Sequence, residues 1–394
     1  MPTDTIVLVR SAGVIALFAA WACCNFQPND AIDDAGSRDS STDDSGSGSG
    51  SGSGSDCRPG SGFDASCVGD GVVHVCFGSG SGEIATPTTS FTIQGMGDTK
   101  MINTGMVDAN DCTTLLTQST GSVCLVAVTS VTINGTLQVT GPNPLAFAST
   151  GAITINGTID VGGHAMMAGA GGDLSVCPAP TASTNDGGGA GGSFIGVGGN
   201  GGSGSGGAGG IAASSTDVST LDTLRGGCAG GEGQAGQAPG GGGGAIDLVA
   251  GGAITINGYV IAGGGGGAGG TGTHGGGGGG AGGMIVFDSA QGTQIGSAGN
   301  VDANGGGGGQ GQLPGHNGMP GADSSSALVD AVGGNDPTAG GSGGSGSFGS
   351  NGAGSGQSRA ASAGGGGGGG SGAVLVWGCF SNDGAVSPAN VDPN

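Results

Sequence analysis

The chain predicts an all-β fold, a right-handed parallel β-helix or related β-solenoid with long glycine-rich excursions. Two observations carry this expectation: a short unit recurs along the chain, and its apolar residues alternate with a period of two. Val131-Thr-Ile-Asn-Gly-Thr-Leu-Gln-Val139 returns 22 residues later as Ile153-Thr-Ile-Asn-Gly-Thr-Ile-Asp-Val161. A third copy runs Ile254-Thr-Ile-Asn-Gly-Tyr-Val-Ile-Ala262, and a weaker fourth, Ile295 to Ala303, lacks the Asn-Gly pair. Alternation places Ile153 and Ile155 on one face and Thr154 on the other, as a strand requires. Asn156-Gly157 supplies a bend tolerant of positive φ. A hairpin uses the same signal, so the topology rests on the 22-residue offset, which suits one rung of a parallel β-helix with Asn134 lying over Asn156. The alternative is a β-sandwich with disordered glycine-rich loops. Further apolar strings stand at Leu145–Ala148, Ala245–Ala250, Met284–Phe287 and Ala373–Trp377.

The N-terminus reads as a targeting segment. Arg10 precedes an apolar run from Ala12 that ends Ala20-Trp21-Ala22, so residues 1–22 have the layout of a secretory signal peptide. The apolar stretch, with Arg10 beside it, is short for a membrane-spanning anchor. Cys23 follows the small-residue site and resembles the lipobox of bacterial lipoproteins, which implies a diacylglyceryl-modified Cys23. Ala20 and Trp21 depart from that pattern, and ordinary cleavage would fall at the same bond. Residues 23–56 are an acidic Asp/Ser/Gly tether with nothing to bury. A cysteine-containing cap with the first strands is expected over 57–124. The repetitive β domain follows over 125–394, its glycine-rich insertions lying between 187 and 372.

Composition narrows the partners. The 394 residues include 105 Gly, 10 Phe, 2 Trp, 1 Tyr and only 6 Lys or Arg, with a net charge of −22. Such a chain repels nucleic acid and anionic bilayers. Collagen is excluded by 14 Pro and the lack of a Gly-X-Y period. Glycine's high ordering entropy predicts flexible loops for the insertions. The alternative is that neighbouring runs pack as extended threefold helices joined through their backbones.

Eight cysteines follow the tether: Cys57, Cys67, Cys76, Cys112, Cys124, Cys177, Cys228 and Cys379. An even number in an exported chain suggests disulfides. Proximity favours Cys112 with Cys124, and Cys177 with Cys228 would clip the base of a glycine-rich excursion. A zinc site would need close pairs such as C-x₂-C, which are missing beyond the tether, so no metal ligands are expected.

No cofactor or catalytic residue is expected either. G-x-G-x-x-G patterns arise by chance at this glycine density. The single lysine, Lys100, does not complete a P-loop, and Gly340-Gly-Ser342-Gly-Gly344 matches a nucleophile elbow without its strand-to-helix context. His74, His164, His274 and His316 are far apart and read as solvated loop residues. A β-helix could host a polysaccharide lyase or hydrolase, for which carboxylates and basic groups are needed. Beyond the tether the basic residues are Arg58, Lys100, Arg225 and Arg359, and the glutamates are Glu83 and Glu232. Asp160 and Asp302, at equivalent repeat positions, would make an outward, solvated pair. Tyr259 is the one tyrosine for stacking on a sugar.

In its A-x-A-Cys start, its tether, its I-T-I-N-G-x-I units and the run Gly275–Gly283 leading into Met284-Ile-Val-Phe287, the chain resembles glycine-rich lipoproteins of bacterial envelopes. The resemblance concerns architecture and implies no activity. The expectation is a non-enzymatic exported protein of the outer membrane or cell surface with a structural, spacer or adhesion role. It would be anchored at the membrane through Cys23 and face an extracellular surface or polysaccharide, not nucleic acid. A secreted polysaccharide-active enzyme is the alternative, and a surface- or ice-binding glycine-rich protein is a third.

Overall fold

Twenty strands and no helix form the regular structure of residues 66–389, which the computed structural model describes apart from 109, 217–221 and 235. Residues 1–56, on which the expected signal peptide, the lipidation of Cys23 and the tether fall, lie outside the described residues. Strands β1 (Cys67–Val68) and β2 (Val75–Cys76) pair antiparallel as a small hairpin. The others visit three sheets in rotation. The first circuit is β3 (Phe91–Ile93), β4 (Thr99–Asn103) and the pair β5 (Thr114–Gln118) and β6 (Gly121–Val128). The second is β7 (Val131–Ile133), β8 (Thr136–Thr140) and β9 (Leu145–Ser149), and the third β10 (Ile153–Ile155), β11 (Thr158–Asp160) and β12 (Ala245–Ala250). Then come β13 (Ile254–Ile256), β14 (Tyr259–Ile261) and β15 (Met284–Ser289), followed by β16 (Thr293–Ile295), β17 (Asn300–Asp302) and β18 (Ala373–Trp377). A last part-circuit holds β19 (Phe380–Asn382) and β20 (Ala385–Ser387).

The sheets run β19-β16-β13-β10-β7-β3, β20-β17-β14-β11-β8-β4 and β18-β15-β12-β9-β6-β5. Within them β5–β6 is antiparallel and the other pairings are parallel, unlike the antiparallel sheets of a sandwich. The repeat copies stack in register: Ile153 pairs with Val131 and Ile254, and Ile155 with Ile133 and Ile256. The weak copy follows, Ile295 beside Ile256 and Val301 beside Val260.

Alternation in the first two sheets turns one face inward. Ile133, Ile155, Ile256 and Ile295 line the interior with Leu137, Ile159, Val260 and Val301, all fully buried. Each such side chain contributes about 1.5–3 kcal/mol by leaving water. The third sheet differs, because strings such as Ala245–Ala250 and Met284–Ser289 are buried at every position. A run that is apolar at nearly every position, rather than alternating, marks a strand covered on both faces. Inside, Ile246, Leu248, Phe147 and Phe287 join the common core. Outside, Val249, Val286 and Leu375 are covered by Val68, Val73, Val75 and Phe77 of the N-terminal segment, together with Phe194 and Leu224.

The corner between the first two sheets carries the Asn-Gly pairs. Asn156 Nδ2 donates to Asn134 Oδ1 at 2.9 Å, and Asn257 Nδ2 donates to Asn156 Oδ1 at 3.0 Å. Gly157 is not among the glycines with positive φ; the expectation of a left-handed bend is corrected here. Glycine is required for closeness instead, since a Cβ on Gly157 would collide with the carbonyl oxygen of Gly135 one circuit below.

All three long insertions arise at one other corner, between the second and third sheets. They cover residues 161–244, 262–283 and 303–372. The parallel stacking of the circuits therefore brings the three glycine-rich stretches side by side.

Candidate functional site

Among the described residues of the glycine-rich insertions, the loop expectation gives way to a lattice of backbone hydrogen bonds. Residues 275–283 are its clearest segment. Gly276, Gly279 and Gly282 donate to the carbonyls of Gly364, Gly367 and Gly370 at 3.1, 2.9 and 2.9 Å. Gly277, Gly280 and Gly283 donate to Ala268, Gly265 and Ala262, and Gly278 and Ala281 donate to Gly231 and Cys228. The carbonyls repeat the pattern toward three further segments. Gly276 and Gly279 accept from Gly189 and Gly192, Gly277 and Gly280 from Gly309 and Gly306, and Gly278 and Ala281 from Gly240 and Gly243. Every third residue thus meets the same neighbour, which is the period of a polyproline-II-type helix. Such a helix makes no internal hydrogen bonds, so its groups are free to bond outward.

Glycine is the residue that permits this spacing. A Cβ on Gly278 would strike the carbonyl oxygen of Ala190, and one on Gly280 that of Gly241. Each bond nets about 1 kcal/mol against a comparable cost of ordering each residue. The sheets that fix both ends of every insertion, and the Cys177–Cys228 disulfide across the first, reduce that cost.

An ionic cluster fastens the insertions where they leave the sheets. Asp160, at the end of β11, accepts the Gly162 N–H at 3.0 Å and meets His164 Nε2 at 3.1 Å. His164 Nδ1 lies 3.5 Å from Asp323 Oδ2. Asp323 Oδ1 accepts the N–H groups of Ala165 at 2.8 Å and Gly266 at 2.7 Å. One residue from the third insertion therefore binds the first and the second. Hydrogen bonds to Asp160 and then Asp323 raise the His164 pKa to about 10. Burial works against ionisation of Asp323, but His164 and the two N–H donors hold its pKa below the ordinary value. Beside the cluster is a cavity of about 260 Å³ lined by Ala165, Met166, Pro239, Pro320 and Asp323. His164 is an exposed loop residue, as expected, and the folded chain adds to that its pairing with Asp160 and Asp323.

Asp160 and Asp302 are not the outward, solvated pair expected. They share one column of the second sheet with Ile261 between them. Asp302 is fully buried, accepts the Asn304 N–H at 3.0 Å and the Ser324 hydroxyl at 2.9 Å, and has its pKa pushed up by burial to about 6.

Two further carboxylates lie beneath the N-terminal hairpin, on the outer face of the third sheet. Asp288 Oδ2 accepts the N–H groups of Asp70 at 2.7 Å and Gly71 at 2.5 Å. Burial outweighs those bonds and raises its pKa to about 6. Asp247 is fully buried with the backbone of Val73 as its polar neighbour. Burial and then the charge of Asp288 push its pKa well above the ordinary carboxylate value. Sequence reasoning passed over both, although an Asp inside Ala245–Ala250 and another inside Met284–Ser289 are visible breaks in apolar strings.

Cys112 is joined to Cys124 and Cys177 to Cys228, with S–S distances of 2.06 and 2.05 Å. Cys67 is bonded to Cys76 across the hairpin, and Cys379 is also disulfide-bonded. Lys100 stacks on Phe91, its Nζ 4.3 Å from the ring centre. Arg225 is buried over Phe194 at 4.5 Å and donates to Thr216 Oγ1 at 2.8 Å. Ser342 donates to Asn335 Oδ1 at 2.9 Å within the lattice, and Tyr259 is partly exposed on β14. Among the described residues, no helix is long and apolar enough to cross a membrane. No protein family, curated protein or solved structure compared with this chain matches it.

Proposed function

We propose that this chain is an exported cell-envelope protein with a structural role, a spacer or surface-adhesion element, anchored through a lipidated Cys23. In this reading the three sheets are the faces of a right-handed parallel β-helix, the hand that parallel crossover connections favour. The observation that carries the reading is the glycine lattice. It joins all three insertions through backbone hydrogen bonds and offers backbone groups and small side chains for contact with a polymer or surface. The apolar run ending at Ala22, the cysteine after it and the disulfides suit an oxidising compartment outside the cytoplasm.

A second reading, a secreted polysaccharide-active enzyme, draws on the placing of Asp160, His164 and Asp323 beside a cavity. One experiment separates the two. The purified chain is incubated with insoluble envelope and plant polysaccharides, measuring both co-sedimentation and released reducing ends. Retention without turnover is expected. Turnover that is abolished by Asp160→Asn would replace the structural reading with the enzymatic one. The anchor is tested by mass spectrometry of the mature N-terminus, where a lipid-modified Cys23 is expected and an unmodified one would contradict it.

A further inference from the structure

The N-terminal hairpin gathers three metal-binding side chains. Cys67 and Cys76 are directly opposed on β1 and β2 and joined as a disulfide, with His74 two residues before Cys76. Their two sulfurs and one ring nitrogen all lie within 4.8 Å of one another. His74 Nδ1 is 2.6 Å from the Gly69 carbonyl oxygen, which can only accept, so Nδ1 carries the proton. In the neutral ring Nε2 then keeps its lone pair, and it lies 3.4 Å from Cys76 Sγ. A ligating histidine is typically oriented by this kind of bond from its other nitrogen to a backbone carbonyl. His74 is exposed and both cysteines are half-buried, whereas Cys112 and Cys124 are fully buried. The hairpin disulfide is therefore open to a reductant that does not reach the Cys112–Cys124 bond.

We infer that Cys67, His74 and Cys76 form a redox-gated zinc site: a disulfide in the oxidised chain and a three-ligand Zn²⁺ site in the reduced one. Reduction by a dithiol breaks the Cys67–Cys76 S–S bond. Two electrons and two protons pass to the sulfurs while the reductant becomes a disulfide. Zn²⁺ then binds both thiolates and His74 Nε2, and the two thiol protons leave to solvent. Zinc needs about 2.3 Å to sulfur and about 2.0 Å to nitrogen, so the sulfurs must move apart by side-chain rotation. Solvent completes the coordination at this exposed position. The hairpin covers the third sheet beside Asp247 and Asp288, so the two states would grip that face differently. The inference uses the hairpin geometry alone and does not depend on the envelope reading.

The test treats the full chain with limiting dithiothreitol, maps opened disulfides by differential alkylation and mass spectrometry, and titrates Zn²⁺ anaerobically against a chromophoric chelator. The expected result is opening of Cys67–Cys76 with Cys112–Cys124 intact, and one Zn²⁺ per chain that the oxidised protein does not hold. Co²⁺ in its place should show the intense bands of tetrahedral thiolate coordination. His74→Ala leaves the disulfide in place and should weaken Zn²⁺ binding about tenfold or more. Absence of stoichiometric Zn²⁺ after hairpin reduction, or affinity unchanged by His74→Ala, would overturn the inference. So would opening of Cys112–Cys124 before Cys67–Cys76.

Discussion

The sheets and the glycine lattice are built from the same chain by opposite means. Around Ile133, Ile155 and Ile256, stability comes from side chains removed from water, and the backbone bonds are the ordinary ladder. Around residues 275–283 there are almost no side chains, and the bonds run outward from that threefold helix to six neighbours. The first region should therefore suffer when a side chain is taken away. The second should suffer when one is added.

The largest expected effect tests the first half of that contrast. Ile155 is fully buried in the stacked column, and Ile155→Ala should cost about 4 kcal/mol in chemical denaturation. A loss below about 1 kcal/mol would mean the column is not a packed interior. Gly278→Ala tests the second half. Glycine-to-alanine changes at tolerant sites usually stabilise, but here the added carbon meets the Ala190 carbonyl. We expect a loss of about 3 kcal/mol. Gly352 is the control, because a Cβ there meets nothing within 4 Å. Gly352→Ala should be neutral or stabilising by about 0.5 kcal/mol. Equal effects at Gly278 and Gly352 would erase the distinction between lattice and loop.

Two titrations sharpen the comparison at the margins of each region. Asp288 has a folded pKa of about 6 against an ordinary 3.8, so the folded state favours its protonated form. Its contribution is complete below about pH 4 and is lost as the pH rises through about 6, on the order of 3 kcal/mol. Asp247 acts in the same direction. Denaturation midpoints measured from pH 4 to 7 should fall, and Asp288→Asn should flatten the curve. His164 belongs to the lattice side. Its pKa is raised from 6.5 to about 10, so its contribution is complete below pH 6.5 and disappears as the pH rises through about 10. The side chain is 48% exposed, and after solvent screening the loss should be about 1 kcal/mol. His164→Gln should remove the pH dependence between 8 and 10.

What the sequence revealed follows the same division. The β elements were legible because burial writes itself into side-chain patterns. The alternation in Ile153-Thr154-Ile155 marks a one-sided strand, the 22-residue echo marks stacking, and strings such as Ala245–Ala250, apolar but for one Asp, mark a sheet covered twice. The lattice left no such trace, since backbone pairing makes no demand on side chains beyond their absence. Gly275–Gly283 reads identically whether loose or bonded to six neighbours. What decides between them is topology: three insertions starting from one corner. The ionic cluster was hidden for a related reason. His164 and Asp160 are four residues apart, but Asp323 reaches them only because the third insertion folds over the first. The covered carboxylates Asp247 and Asp288 depend on the N-terminal hairpin, whose docking no local pattern announces.

Amide hydrogen–deuterium exchange, resolved for peptides covering residues 275–283 and 364–370, tests the lattice most directly. If the threefold helices are bonded to one another, these amides should exchange as slowly as those of β12 and β15, with protection lost together in Gly278→Ala. Exchange of both peptides at the rate of an unstructured chain, while β12 and β15 remain protected, would contradict the account.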